Sequence, residues 1–501
     1  MDWRQGDQEI HQKLKTPTIL YWNRKWVNSS AIGLLIFFSF SCATYYQVNS
    51  EFNQDFESGS IEAAKKILDQ NKKQARKKAQ FLYFANQGVV NTMLGNYEKS
   101  NEWLEKAYLF GEDYQKNYAN IAASFLVNPT TITYQGEDHE QLLLLYYKAL
   151  NYLKLNDYSA ALVECRRLNL RLNELSDKYK GDKKYKRDAF VNNLMGIIYE
   201  ASGDVNNAFI AYRNALTIYQ DDYQELFGLE VPLQLKHDLL RTAYLNGFDT
   251  ELDFYERQFD LRYNPKSANS EELVFFWHNG LGPVKDEWSV NFTAMDGGDG
   301  FVTFVNDEYD FSFPYQISSS DEKSQLTDLR FFRVAFPKYQ DRGAYFNRAV
   351  LEAGNQRYNL QLGEDVNAIA HKTLDERMIQ EFGKGLLRAA TKKAVEAAIR
   401  GSQSDSDEKQ SKEEQQEEAI REGLSFLMGV VNAATEKADT RNWQTIPHSI
   451  YYSRVPMSVG VNQVSLKTIG PRGSTAVTDF TFEVSRNETV FHMYHSLETE
   501  R

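Results

Sequence analysis

The stretch Tyr83-Phe-Ala-Asn-Gln-Gly-Val-Val-Asn-Thr-Met-Leu-Gly-Asn-Tyr-Glu-Lys-Ser-Asn-Glu-Trp-Leu-Glu-Lys-Ala-Tyr-Leu-Phe110 decides the fold of the N-terminal half. Two glycines, Gly88 and Gly95, lie seven residues apart, and the small residues Ser100 and Ala107 follow them. Small residues at these offsets let two antiparallel helices approach closely, and apolar residues at i, i+3, i+4 and i+7 supply a buried stripe. The stretch therefore predicts a closely packed helix pair.

The same spacing recurs along the chain. The copies carry small or turn-forming residues at matching positions: Gly196, Gly203, Ala208 and Ala215 in 191–218, and more loosely Ala149, Asn156, Tyr158, Ala161 and Leu168 in 144–171. A partial copy contains Gly59, Ile61 and Ala64, and a weaker pair is predicted for Lys236–Phe259. Insertions at 111–140 and 172–187 interrupt the series. Each pair leaves one face uncovered, so the pairs are expected to stack into an α-solenoid.

This pattern resembles the tetratricopeptide repeat (TPR). The resemblance implies a peptide- or protein-binding scaffold whose concave wall is built from the first helix of each pair. By that analogy six residues are expected to face the groove and bind a partner: Gln87, Asn91, Lys148, Tyr152, Asn192 and Tyr199.

The periodicity changes after about residue 263, where alternating and aromatic-rich runs predict strands. The predicted strands are 272–278, 287–293, 300–305, 331–336, 450–455, 477–485 and 489–494, the last two joined as a hairpin around Arg486-Asn487. Two helices, at about 364–400 and 413–437, are expected to form an inserted helical hairpin with a polar tip at 401–410. The fold class is therefore α + β multidomain, with a TPR-like α-solenoid at 42–262 and a β-rich domain at 263–501.

Small residues line the predicted hairpin. Gly383, Ala390, Ala394 and Ala398 lie on its first arm, and Gly423, Gly429, Ala433 and Ala434 on its second. Close packing of the two arms explains them most simply. Assembly with other copies of the chain or with a partner is the alternative.

The segment that ends at Cys42 is typical of a bacterial lipoprotein signal. The apolar run 31–41 directly precedes the cysteine, basic residues precede the run, and Ser41 and Ala43 flank the thiol. An eleven-residue run is about 16 Å long as a helix, too short for a roughly 30 Å hydrocarbon core. We therefore expect a signal peptide at 1–41, lipidation of Cys42, and anchoring at the periplasmic face of the outer membrane.

The composition excludes several classes of function. The 501 residues carry a net charge of −12, and this disfavours nucleic acid because phosphate binding needs a basic face. The chain has two cysteines. With Cys42 lipidated, Cys165 is expected to be a lone buried thiol, so neither a disulfide nor a thiolate zinc site is expected.

We identify no catalytic constellation, metal site or cofactor motif in the sequence. His492 and His495 are three residues apart and are expected to lie on opposite faces of a strand. The run Asp296-Gly-Gly-Asp-Gly300 predicts a turn in preference to a Ca²⁺ loop. In the run 438–447, Asp439 is expected to pair with Arg441 or to cap a helix, and Trp443 to fill a structural corner.

Four strings resemble an uncharacterised family of bacterial TPR-containing outer-membrane lipoproteins: 279–285, 335–339, 364–370 and 438–447. The resemblance implies a non-enzymatic periplasmic scaffold for envelope proteins or peptides, including other lipoproteins, with homo-oligomerisation left open. An accessory or activator subunit of a cell-wall or secretion machine is an alternative. A hydrolase acting on cell-wall or peptide substrate is another, and it predicts a pocket where carboxylate and histidine groups converge.

Overall fold

The computed structural model describes residues 44–76, 78–118, 132–177, 184–265, 271–298, 300–306, 311–316, 332–378 and 437–499. All of them belong to one compact unit, Thr44–Arg501. The domain boundaries expected from the sequence stay predictions.

Helices make up the first half. In chain order they are α1 (Tyr45–Val48), α2 (Ser50–Glu57), α3 (Ile61–Gln70), α4 (Gln80–Met93), α5 (Tyr97–Tyr118), α6 (Asp138–Lys154), α7 (Tyr158–Ser176), α8 (Ala189–Ala201), α9 (Val205–Ile218), α10 (Gln224–Phe227), α11 (Leu233–Leu245) and α12 (Asp249–Phe259). A 3₁₀ turn lies at Lys72–Arg76 and a π-turn at Tyr219–Tyr223. A later helix, α13, spans 366–378.

Within the described chain the helices pack as five consecutive pairs: α2–α3, α4–α5, α6–α7, α8–α9 and α11–α12. The close approach predicted from the glycines is confirmed. A Cβ atom added to Gly88 would lie 2.3 Å from Leu104 Cδ2 of the partner helix, and one added to Gly196 would lie 2.4 Å from the Tyr212 ring. Each pair turns at a residue with positive φ: Gly59 (79°), Gly95 (75°), Asn156 (58°), Gly203 (83°) and Gly247 (68°).

Strands make up the second half. They are β1 (Glu272–Asn279), β2 (Val284–Asp296), β3 (Phe301–Asn306), β4 (Phe311–Gln316), β5 (Phe332–Gln340), β6 (Arg348–Ala353), β7 (Gln356–Asn359), β8 (Gln361–Asp365), β9 (Ser449–Pro456), β10 (Gly460–Ile469), β11 (Thr475–Val484) and β12 (Thr489–Ser496). The first sheet has the order β12-β1-β9-β8, the second β11-β10-β6-β7 and the third β4-β3-β2-β5. Only the β1–β12 pairing is parallel among those described.

The first sheet is the middle layer of three. On one face of β1, Leu273, Phe275 and Trp277 join the core shared with the second sheet. On the other face, Val274 and Phe276 join the core of the helices. Because both faces are covered, β1 is a nearly continuous apolar run, and the helices and the sheet share one hydrophobic core.

The predicted hairpin between the last two strands is wrong. β11 pairs with β10 in the second sheet, whereas β12 runs parallel to β1 in the first. The turn near Asn487, whose φ is +58°, therefore carries the chain from one sheet to the other. Alternation of apolar residues along a strand indicates a buried face, but it does not identify the neighbouring strand.

The start of the inserted helices also differs from the expectation. Residues 361–365 form the edge strand β8, and α13 begins at residue 366. The rest of the predicted hairpin, with its small-residue faces and its polar tip, lies in 379–436, outside the described residues, and stays a prediction. Five of the described strands were not predicted from the sequence: β4, β6, β7, β8 and β10.

Candidate functional site

The first helix of each pair faces the inside of the array, which is the usual binding surface of such repeats. In this protein the first sheet occupies that surface. The Phe190 ring of α8 lies 6.4 Å from the Phe276 ring of β1 and 5.8 Å from the Tyr452 ring of β9, measured between ring centroids. On α6, the Lys154 ammonium donates to the Phe491 carbonyl of β12 at 2.9 Å. The concave face is thus filled by the chain itself.

Two tyrosines and two histidines form a polar cluster inside this contact. The Tyr146 hydroxyl lies 2.9 Å from His278 Nε2, and the Tyr147 hydroxyl lies 3.4 Å from His495 Nε2. Burial, and then the neighbouring His495, lowers the pKa of His278 well below its usual range. Burial lowers the pKa of His495 to about 3. Both imidazoles are therefore neutral at physiological pH and act as hydrogen-bonding groups of the interface.

A buried ion network fixes β9 on the fourth and fifth helix pairs. The Arg454 guanidinium donates to Glu200 at 2.8 Å and to the Tyr212 hydroxyl at 2.6 Å, and it lies 3.3 Å from Asp238. It also bonds to Glu272 of the neighbouring strand. Burial alone would raise the pKa of Glu200, but the two arginines Arg241 and Arg454 outweigh burial and hold this pKa at about 2.

The segment 438–446 covers the concave side of the second and third pairs. The Trp443 backbone N–H donates to Glu140 Oε1 at 2.5 Å, and the Thr445 hydroxyl donates to Asn86 at 3.0 Å. Trp443 is fully buried, and Asp439 forms a 2.7 Å ion pair with Arg441. The predicted corner with a tryptophan plug is therefore confirmed.

A buried charged cluster lies beside this corner. Glu137, at the start of α6, bonds to Lys285 of β2 and to Arg377 of α13. Burial raises the pKa of Glu137, but Arg377 and Lys285 outweigh it and hold this pKa at about 2. Burial and the Glu137 charge raise the pKa of Glu140 to about 7. The cluster connects the residue that caps the N-terminus of α6 to both the third sheet and α13.

One small cavity lies between α6, α8 and the first sheet. It measures about 30 Å³ and is lined mainly by apolar side chains, together with His139, Asp188 and Glu364. Carboxylate and histidine groups do converge here, as the hydrolase alternative requires. The space, however, holds one or two water molecules and no peptide or glycan, so we do not assign catalysis to it.

The six residues predicted to face a groove make contacts within the chain. Gln87 donates to Asp69 of α3 at 3.2 Å, Lys148 bonds to Glu105 of α5, and the Tyr199 hydroxyl accepts from Arg166 of α7 at 3.3 Å. Each of these contacts reaches the second helix of the preceding pair. These residues therefore lie at the seams between pairs and do not face the concave surface.

The other three are also engaged within the chain. Asn91 is buried and donates to the Gln87 carbonyl at 2.7 Å, and the half-buried Asn192 donates to the Asp188 carbonyl at 2.7 Å. Tyr152 is half-buried against the core. The predicted orientation toward an open groove is corrected for Gln87, Asn91 and Lys148, which are all but fully buried. Partner binding by the six stays a prediction.

Sequence reasoning missed the residues that meet at the concave face, among them Tyr146, Tyr147, His278 and Arg454. A signal was present in α6, whose run Leu142-Leu-Leu-Leu-Tyr-Tyr147 is apolar on all sides. A helix that is apolar all round is buried on both faces and does not line an open groove. Its partner strands are more than 120 residues away in sequence, so pattern alone did not identify them.

Several expectations lie outside what the structure describes. Cys42 precedes the first described residue, Thr44. Among the described helices we find none with the length and apolarity needed to span a bilayer. Within the same residues no group of three or more histidine, cysteine, aspartate or glutamate side chains is arranged to hold a metal ion. Cys165 is buried, as predicted.

Comparison with known proteins gives similarity to solved structures only. No protein-family model matches the sequence, and no curated protein matches it. BtubC (BKLC) from P. vanneervenii is similar at 14% identity and a TM-score of 0.30, over 48% of this chain and 88% of that chain. MamA is similar at 12% identity and a TM-score of 0.27, over 41% of this chain and 91% of that chain.

A tetratricopeptide repeat protein from Parabacteroides merdae ATCC 43184 is similar at 11% identity and a TM-score of 0.20, over 44% of this chain and 80% of that chain. At such TM-scores the similarity is distant. The description of this chain as TPR-like helix pairs followed by several β-sheets therefore rests on its own helix contacts and strand pairings.

Proposed function

We propose that this protein is a non-enzymatic scaffold of the bacterial envelope that binds a protein partner from the periplasmic face of the outer membrane, where lipid on Cys42 anchors it. The observation that supports it best is the series of helix pairs whose concave side is closed by the first sheet of the same chain. Helical repeats of this kind serve as interaction platforms. In this protein the first sheet of the same chain packs against the concave side of the helix pairs and supports them.

The closed concave side decides where a partner binds. Phe276 and Tyr452 already contact Phe190, so a peptide laid along the first helices has no free surface there. The second helices, in contrast, present exposed apolar side chains on their outer faces: Leu109 of α5, Val163 and Leu170 of α7, and Ile210 of α9. Exposed apolar side chains thus recur on the second helices of three successive pairs, and apolar surface that joins into a patch favours protein contact. We therefore place the partner, a folded envelope protein, on the outer face.

Crosslinked pulldown from intact cells tests this proposal. The double variant Val163→Glu/Leu170→Glu changes the outer face of α7, where the two side chains are 45% and 65% exposed. The matched control Val461→Glu/Val477→Glu changes two valines of the second sheet that are 71% and 61% exposed. We expect the α7 variant to lose the partner captured by the wild type and the control to retain it. Equal capture by both variants contradicts the proposal.

The predicted hairpin offers a second contact, either with another copy of this chain or with a second envelope protein. A version with residues 380–435 replaced by a short flexible linker keeps Arg377 and Ala438, which anchor the two ends of that segment to Glu137 and Glu287. We expect this version to lose one crosslinked species. Retention of every species removes the hairpin from the assembly.

The anchor is tested separately. Cys42→Ala, or treatment with globomycin, is expected to leave the precursor uncut and the protein without lipid. Normal processing in either case contradicts the lipoprotein assignment and leaves the partner experiment unaffected.

A further inference from the structure

Two buried carboxyl groups meet where the helices join the first sheet. Asp188 caps the N-terminus of α8, and Glu364 lies on the edge strand β8; their exposed fractions are 5% and 4%. The two carboxyl groups line the same small cavity, and each perturbs the pKa of the other. Asp188 also accepts from the Val191 N–H at 2.7 Å and from the Tyr185 hydroxyl at 2.8 Å.

Tyr223 completes this group on the Glu364 side. Its hydroxyl donates to Glu364 Oε1 at 3.1 Å, and it belongs to the π-turn Tyr219–Tyr223 that follows α9. The adjacent Tyr219 hydroxyl donates to the Gly363 carbonyl at 2.7 Å. The helical half thus contacts the end of β8 through the hydroxyl groups of Tyr219 and Tyr223 and through the carboxyl group of Asp188.

The side chains that most strongly affect the pKa values of Asp188 and Glu364 are phenols and carboxyl groups. None of these side chains carries a positive charge. The titratable groups packed around this pair are His139 and Tyr146 on α6, Cys165 on α7, Tyr185, Tyr219, Tyr223 and Asp365, with Glu376 on the Tyr185 N–H. The lysine and the arginine of α13 form ion pairs with other carboxyl groups. Lys372 pairs with Glu376, and Arg377 bonds to Glu137.

Two buried carboxylates that line one small, mainly apolar cavity repel each other strongly when both are ionised, so one of them keeps a proton. A metal ion is one way to relieve such a pair, but the described residues offer no group of three ligands that would hold one. We propose that Asp188 and Glu364 form a proton-binding site, in which one shared proton joins the first helix of the fourth pair to the edge of the first sheet. Burial, followed by the Asp188 charge, raises the pKa of Glu364 well above its usual range, in agreement with this assignment.

The cavity of about 30 Å³ adjoins this site, because Asp188 and Glu364 both line it. His139 lines it as well, and among the described residues its Nε2 atom has no hydrogen-bond partner. The cavity has room for one or two water molecules. A water molecule bound there would lie among the carboxyl pair and His139, because all three side chains line the cavity.

The shared proton makes the stability of the helix–sheet contact decrease as the pH rises. The folded protein keeps the proton, whereas an unfolded chain releases it above about pH 4.3. The folding equilibrium constant therefore falls about tenfold per pH unit until the pH passes the folded-state pKa. The stabilisation that the shared proton gives is therefore fully present below about pH 4.3 and decreases as the pH rises, until the pH passes the folded-state pKa of the pair.

Denaturant unfolding of the full chain between pH 6 and pH 9 tests the site. Glu364→Gln keeps the size of the side chain and supplies an amide N–H for Asp188, but it has no proton to lose. We expect a plot of the logarithm of the folding constant against pH to be less steep for this variant, by about one proton. The matched control Glu352→Gln changes a partly exposed surface carboxyl of β6 and is expected to leave the slope unchanged. Equal slopes in all three proteins overturn the proposal.

A second measurement keeps the test decisive if Glu364→Gln fails to fold. The infrared spectrum of the folded wild type at pH 8 is expected to contain the C=O stretching band of a protonated carboxyl group. At this pH Glu140, whose pKa is about 7, is mostly ionised and contributes little to the band. Absence of the band at pH 8 overturns the proposal.

Discussion

His278 Nδ1 and His495 Nε2 lie 2.6 Å apart, across the parallel pair β1–β12 and directly beneath α6. The two residues are 217 positions apart in sequence, and they are brought together by the register that sets His278 opposite His495. Tyr146 and Tyr147 contact the same pair from the helical side. The last strand of the chain is thus bound to the first strand and to the third helix pair at one point.

This pair predicts loss of stability in acid. An unfolded histidine takes up a proton below about pH 6.5, whereas His495 in the folded chain does so only near pH 3. The stability that neutral histidine provides is therefore present above pH 6.5 and is lost as the pH falls. We expect the free energy of unfolding to drop by about 1.4 kcal/mol per pH unit for each buried histidine between pH 6 and pH 4.

Urea unfolding of His495→Gln measures this effect, because glutamine cannot be protonated in this range. The variant is expected to lose less stability than the wild type on going from pH 7 to pH 5. His371→Gln is the control, since His371 is 38% exposed and lies 2.7 Å from Asp341. An acid slope in His495→Gln equal to that of the wild type contradicts the prediction.

The close approach of paired helices predicts the effect of adding one methyl group. Gly88→Ala places a Cβ atom 2.3 Å from Leu104 Cδ2, so one helix must shift. We expect a loss of about 1–3 kcal/mol in the free energy of unfolding. Combining it with Leu104→Ala restores space. The double variant is therefore expected to lose less stability than the sum of the two single losses, and simple additivity would argue against the steric explanation.

Arg454 predicts a large loss on truncation. Arg454→Ala leaves the buried carboxyl groups of Glu200 and Asp238 without one of their two cations. Breaking a buried ion network in this way costs about 3–5 kcal/mol. The surface pair of Arg357 and Glu352 is the control, because Arg357 is 76% exposed and Arg357→Ala is expected to cost less than about 1 kcal/mol. Similar losses in both variants, measured by urea unfolding, would be inconsistent with a network that carries the helix–sheet contact.

Local spacing predicted the parts of the fold that depend on neighbours in sequence. Gly88 and Gly196 mark helix crossings because a side chain at either position would collide with the partner helix. Asn156 marks a turn because asparagine tolerates positive φ, as glycine does. The prediction that His492 and His495 lie on opposite faces is confirmed. His492 contacts Phe480 in the layer between the sheets, and His495 contacts Tyr147 of the helices.

Contacts between distant segments were not predictable in the same way. Lys148 was expected in the groove, but its neighbour Tyr147 holds the position that meets the sheet; one residue along a helix turns the side chain by about 100°. The alternation in β11 and β12 fits either a hairpin or two sheets. Only the burial of both faces of β1 distinguishes these arrangements, and that burial depends on residues from the whole chain.

An experimental structure of the chain from Thr44 onward, at a resolution that places aromatic rings, tests the central claim most directly. The claim is that the first sheet fills the concave face of the helix pairs. We predict the Phe190 ring about 6.4 Å from the Phe276 ring and about 5.8 Å from the Tyr452 ring. A structure in which Phe190 faces solvent across an open groove, with β1 and β9 elsewhere, would contradict the account.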